Sequence, residues 1–218
     1  MTDFEELSDR IRESFERQNK IRDEALSQSR NLTRHAARAI RAIHREDATL
    51  AQEHLREGDL LAKALRGGLS DDPDLYYSGY VQDALKEYCE AHLTVAVILD
   101  QEWPSPEDLQ VPYATYLNGL SEVVGELRRR IMDIMRAGHS AEVERLLDVM
   151  DEIYAQLVTM DFPDALTYGL RRRTDIARSI IERTQADVTI SFRQQELEKR
   201  ILNLSEQLSE MQDLNENH

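Results

Sequence analysis

From residue 3 to residue 45 apolar side chains return every three or four positions. Phe4, Leu7, Ile11, Phe15, Ile21, Ala25, Leu32, Ala36, Ala39 and Ile43 keep this repeat, and no Gly or Pro interrupts it. A period near 3.6 predicts one long amphipathic helix over 3–45. A second helix is predicted over 47–66, with Asp47 as its N-cap and Gly67-Gly68 as its end. The segment GGLSDDPD reads as a loop. A third helix is predicted over 75–99 and turns apolar on all sides after Ala91, which marks its second half as central. Pro104, Pro106 and Pro112 make 100–112 a connection, and a fourth helix follows over 113–136, closed by Ala137-Gly138. Ser140 opens a fifth helix that stops near Asp161-Phe162-Pro163. The last helix begins at about 165 or 170 and runs to 212. Its tail spaces Leu197, Ile201, Leu204, Leu208 and Met211 by fours and threes, a coiled-coil-like seam. Such a seam docks either onto its own bundle or onto another subunit.

No strand alternation competes with these helices, and neither a repeat nor a linker divides the chain. The expected architecture is all-α, one helical bundle over 1–218. Hydrophobic residues make up 41% of the chain, enough for a packed core, and only 8 Gly and 5 Pro break it. The start, MTDFEELSDR, is acidic and lacks the apolar run of a signal peptide. The longest apolar run, Leu93–Leu99, is too short for a membrane span. Cys89 is the single cysteine, so neither a disulfide within the chain nor a cysteine zinc site can form. These features lead us to expect a cytoplasmic protein that does not enter a membrane.

Charge changes the picture. The 42 acids outweigh 27 basic residues, for a net charge of −15, and lysine occurs only at Lys20, Lys63, Lys86 and Lys199. A salt-rich cytosol and a G+C-rich genome both produce such a composition. Net acidity argues against a polyanionic partner, and a purely structural helical assembly would fit it. The distribution argues the other way. Between Ser29 and Arg45 there is no acid, and Arg30, Arg34, Arg38, Arg41 and Arg45 are spaced 4, 4, 3 and 4. At about 100° per residue they fall within about 80° of arc, opposite Leu32, Ala36, Ala39, Ile40 and Ile43. A row of guanidinium forks matches a row of phosphates. It serves equally as a solvated face, or as a set of partners for acids on another helix.

Two pairs of carboxylates carry the candidate chemistry. Glu87 and Glu90 lie three apart in LKEYCEAHL, with Asp83 one turn earlier on the same face. Glu122 and Glu126 lie four apart in YLNGLSEVVGELRRR, pointing away from the stripe of Leu117, Leu120, Val124, Leu127 and Ile131. Carboxylates from two helices suit Mg²⁺, which takes oxygen ligands and activates water for phosphoryl chemistry. With 42 acids in the chain, such pairs also arise by chance, and by phase Glu122 and Glu126 read as a solvated face. There is no P-loop, dinucleotide-binding glycine motif or HExxH. No Glu precedes a His by three, as a ferritin-like di-iron bundle requires. Cys89 reads as packed core, Trp103 as a packing anchor, and His35 and His44 as flanks of the arginine row.

Three segments together, with a weaker fourth, resemble the translin family. SRNLTRHAARAIRAIHR resembles the end of the family's long first helix, bracketed by a Ser-Arg and a His-Arg pair. ALKEYCEA resembles the Gln-Glu-Tyr-Val-Glu-Ala motif of the branch of translin-associated factor X. YLNGLSEVVGEL resembles that branch's Tyr-Leu-Leu-Gly-Val-Ala-Asp-Leu-Thr-Gly-Glu-Leu, and LRRRTDIARSIIE is a weaker match on the last helix. The resemblance covers roughly 25–190. It implies a seven-helix bundle that assembles into a hollow multimer, often an octamer, and binds single-stranded RNA or DNA. The catalytic branch is a Mg²⁺-dependent endoribonuclease, with Mn²⁺ as a second candidate ion. Its acidic residues fall onto Glu87, Glu90 and Glu122, with Glu126 as a further acid. Glu122 stands where the family motif has Asp, which lengthens the arm by one methylene. The non-catalytic branch lacks the acidic pair on the third helix, so Glu87 and Glu90 point to the catalytic one. The expected partners are single-stranded RNA and further copies of this chain.

Overall fold

The computed structural model describes residues 4–138 and 140–216, and their side chains except those of 206 and 208–216. Among the described residues there are nine helices and no strand. They are α1 (Phe4–His44), α2 (Ala48–Gly68), α3 (Pro73–Tyr76), α4 (Gly79–Ile98), α5 (Pro106–Leu109), α6 (Tyr113–Met135), α7 (Ala141–Val158), α8 (Asp164–Thr167) and α9 (Leu170–Glu216). The six long helices fall on the six predicted from periodicity. The three four-residue helices lie in or beside the segments predicted as connections, whereas the family resemblance implies seven helices. The predicted third helix is split. Pro73 starts α3, Ser78 then takes an extended conformation (φ −64, ψ 148), and α4 begins at Gly79.

The corner between α1 and α2 is local chemistry. Glu46 adopts φ 63, which lets the Asp47 N–H turn back to the carbonyl of Ala42 at 3.0 Å. Asp47 then caps α2, its Oδ1 accepting from the Leu50 N–H at 3.0 Å. Ser140 stands at the N-cap of α7 as expected, but its hydroxyl makes no capping bond.

α2 folds back on α1, and α4 lies against α1 on one side and α6 on the other. α6 in turn packs on α7 and α9. Leu32, Leu65 and Leu85 fill the space between α1, α2 and α4. Leu93, Leu127, Ile131, Met150, Ile153 and Ile181 fill the space between α4, α6, α7 and α9. Each such buried side chain contributes about 1.5–3 kcal/mol relative to exposure. The all-round apolar half of α4 is central because it faces both regions: Leu93, Val95 and Val97 are at most 1% exposed.

Both long outer helices run past this core. The apolar repeat of α1 begins at Phe4, yet Phe4, Ile11 and Phe15 are exposed, and burial starts at Ala25. Among the described side chains of α9 the last buried one is Val188, and Leu197, Ile201 and Leu204 of the seam are exposed. The bundle therefore does not take up these three; Leu208 and Met211 lie outside the described side chains. Among the described residues no helix is long and apolar enough to cross a membrane.

Candidate metal centre and nucleic-acid interface

The two acidic helices meet at a glycine. A Cβ on Gly119 of α6 would lie 2.8 Å from the carbonyl oxygen of Lys86 and 2.9 Å from Cβ of Cys89, both on α4. Only a bare backbone fits there. One turn beyond this contact, Glu122 comes level with Glu87 and Glu90. One carboxylate oxygen from each of Glu87, Glu90 and Glu122 lies within 4.8 Å of the others. Asp83, although on the same face of α4, is exposed and outside this group.

The three carboxylates sit in different environments. Glu90 is 8% exposed and lines a cleft of about 250 Å³ with Ser121, Glu122, Gly125, Arg173, Ile176 and Ile180. It has no hydrogen bond or ion pair among the described residues. Burial, then the charges of Glu122, Glu87 and Glu126, push its pKa up to about 8. Glu122 accepts from Lys86 Nζ at 2.7 Å and from the guanidinium of Arg173 on α9. Lys86 also reaches Glu87 at 3.1 Å. Burial would lower the Lys86 pKa, but its bonds to Glu122 and Glu87 raise it above the ordinary lysine value. An all-oxygen donor set containing a buried, unpartnered carboxylate is chemistry that fits a hard divalent cation.

Glu126 is not part of this group. His44 of α1 is buried, and its Nε2 lies 2.5 Å from Glu126 Oε2, while Arg129 approaches the same oxygen at 3.7 Å. Both Glu122 and Glu126 are about a quarter exposed rather than solvated, because α6 turns them toward its neighbours.

The five arginines of the row are all exposed: Arg30, Arg34, Arg38 and Arg41 share one face of α1, and Arg45 follows in the turn just past its end. Arg34 donates to Asn31 Oδ1 at 3.1 Å. None of Arg30, Arg34, Arg38, Arg41 or Arg45 pairs with a carboxylate among the described residues, so the partner-helix alternative is not realised there. Burial, His35 and the guanidinium of Arg38 together hold His54 below the usual imidazole range. The end of the row touches α6 through His44–Glu126 and through Arg130, which reaches Glu46 at 3.0 Å.

Four residues here were not singled out as site residues by their spacing: Gly119, Lys86, Arg173 and His44. Gly119 and Lys86 leave faint signals, one a glycine inside a helix and the other one of four lysines. The sequence shows His44 only as a flank of the row and Arg173 only as part of a basic run. Cys89 and Trp103 pack as expected, Cys89 fully buried and Trp103 against the core between α4, α6 and α7.

No family model matches the chain. An uncharacterized protein of Methanocaldococcus jannaschii is 34% identical over 170 residues, covering 77% of this chain and 75% of that protein. Among solved structures, the chain is similar to AfC3PO in a complex with duplex RNA. The TM-score is 0.78 at 32% identity, covering 84% of this chain and 95% of that one. AfC3PO by itself is 31% identical with the same TM-score. Apo-NeC3PO, at 23% identity and a TM-score of 0.77 over 84% and 96% of the two chains, shares the fold.

Proposed function

The chain belongs to the translin family, and on that premise we propose that it is a metal-dependent endoribonuclease. The observation that carries this reading is the convergence of Glu87, Glu90 and Glu122 from two helices, with Glu90 buried and unpartnered. These are the positions to which the family resemblance assigns the catalytic acids. The three carboxylates would hold Mg²⁺ or Mn²⁺, which acidifies a water and offsets charge at the phosphate. Arg173 and Lys86 add positive charge at the rim, where non-bridging phosphate oxygens would come. Glu126, held by His44, ties the site to the end of the arginine row. Arg30, Arg34, Arg38, Arg41 and Arg45 would follow the sugar-phosphate backbone without reading bases.

RNA as the ligand is supported by the similar AfC3PO, which has been solved with duplex RNA. A single-stranded substrate is the finer expectation from the family resemblance. Copies of this chain would assemble through the exposed apolar residues of α1 and α9, placing several sites within one multimer in the cytoplasm.

A second reading rests on Lys86. Its ammonium already pairs with both Glu87 and Glu122, which suits a protein that holds RNA without cutting it. One assay separates the two: end-labelled single-stranded and duplex RNA with wild type and Glu87→Ala/Glu90→Ala, in Mg²⁺, Mn²⁺ and EDTA. Metal-dependent cleavage lost in the variant, with binding kept, is the expected result. Binding without cleavage in every condition would leave the sequestering protein.

A further inference from the structure

The acidic cleft has a second basic neighbour. Ile176 and Ile180 of α9 form one wall of the cleft, and their other side borders a separate depression of about 410 Å³. Arg128, Arg172 and Arg183 line it, with Asp175 and Ser179 between them. Arg128 is committed: it donates to Thr184 Oγ1 at 3.0 Å and to Asp187 Oδ2 at 2.7 Å. Arg172 and Arg183 are exposed and have no carboxylate partner among the described residues. They stand eleven residues apart, about three helical turns, and so share a face. By contrast Arg145, half-buried on α7, is drawn into pairs with Glu142 and Asp100. In a chain of net charge −15, two guanidinium groups left free beside an acidic cleft call for an anionic ligand.

We propose that this shelf on α9 is a second phosphate-binding element for a polynucleotide strand, on the far side of the cleft from the arginine row of α1. The inference rests on the endoribonuclease reading, and deepens it. An enzyme that cuts inside a strand must hold the strand on both sides of the reacting phosphodiester. The row on α1 ends at α6 beside Glu126, whereas the shelf begins across Ile176 and Ile180 from Glu90. The two basic elements therefore flank the carboxylates. Arg172 and Arg183 hold two phosphates, far enough apart to belong to different nucleotides. Asp175, within the shelf, repels a phosphate and so confines the contacts to the two arginines.

The test is the salt dependence of binding, measured in EDTA so that cutting plays no part. Fluorescence anisotropy of a labelled single-stranded RNA would compare wild type, Arg172→Gln/Arg183→Gln and a control, Arg193→Gln/Lys199→Gln. The control removes the same charge from the same helix outside the shelf. Each single-strand phosphate contact contributes about 0.7 to the slope of log affinity against log salt. The shelf variant is expected to lower the slope by about 1.4 and the affinity by about fivefold or more at moderate salt. The control should leave both near wild type. Asp175→Asn should tighten binding. Equal slopes in the shelf variant and the control would overturn the proposal. Failure of the endoribonuclease reading would register differently, as absence of cleavage in metal with the shelf's salt slope unaffected.

Discussion

Replacing Glu90 by glutamine gives a prediction in which sign and size both come from the structure. Glu90 is buried among Glu122, Glu87 and Glu126, and its pKa stands at about 8, against an ordinary 4.5. The folded protein therefore keeps a proton that the unfolded chain releases between those values. Stability from this group is fully present below pH 4.5, falls as pH rises, and is gone above about 8. At about 1.4 kcal/mol per pH unit the whole span amounts to about 4–5 kcal/mol, an upper figure because the cleft admits some water. Glutamine is neutral in both states and has no such term. The assay is urea unfolding of wild type and Glu90→Gln at pH 5, 6, 7 and 8, in EDTA and at one protein concentration. The other acids titrate in both proteins, so the difference between the two curves isolates Glu90. We expect the variant to gain on wild type steadily from pH 5 to pH 8. Parallel curves would refute the reasoning, because they would mean that Glu90 is ionised at ordinary cost and the cleft is not a low-dielectric site. A divalent cation favours the ionised carboxylate, so Mn²⁺ should release a proton on binding to wild type and not to the variant, as read by calorimetry in two buffers.

Gly119→Ala would push a methyl against the α4 backbone and should cost about 1–3 kcal/mol, with weakened Mn²⁺ binding as the helices part. Gly125→Ala on the same helix meets nothing within 4 Å and should be neutral or stabilising by about 0.5–1 kcal/mol; thermal melts of both check the pair. Lys86→Gln removes the ammonium that shares Glu87 and Glu122 with any incoming cation, and should tighten Mn²⁺ binding by about tenfold if one ion pair of about 1.4 kcal/mol is released; weaker binding would mean that Lys86 instead holds the carboxylates in place. Arg34→Glu/Arg38→Glu should abolish most RNA binding at moderate salt in the anisotropy assay, and unchanged affinity would reject the row on α1 as a contact.

The helices were legible because their information is local. The repeat from Phe4 to Ile43, Asp47 before α2 and the prolines of 100–112 each act within a few residues. The face of Glu122 was not. By phase on an isolated helix it points away from the apolar stripe, and only the approach of α4 at Gly119 and of α9 at Arg173 turns that face inward. The same limit applies to Glu126, which spacing grouped with the other acids and which His44, 82 residues away in sequence, holds apart. Pairing across the bundle leaves no mark in the spacing of either partner. Lys86 illustrates this in reverse: adjacent in sequence to Glu87, it owes its role to Glu122 on another helix.

The close approach at Gly119 also has a kinetic consequence. The backbone of α6 covers Cys89, the single thiol of the chain, which is fully buried and whose pKa burial pushes up. A thiol reagent reaches it only when α4 opens from its neighbours, and separation from α6 at Gly119 is one such opening. The labelling rate under native conditions then sets an upper limit on how often the carboxylates of the two helices come apart. Slower labelling with Mn²⁺ or with RNA would make this cysteine a clock for how firmly each one clasps the two helices together.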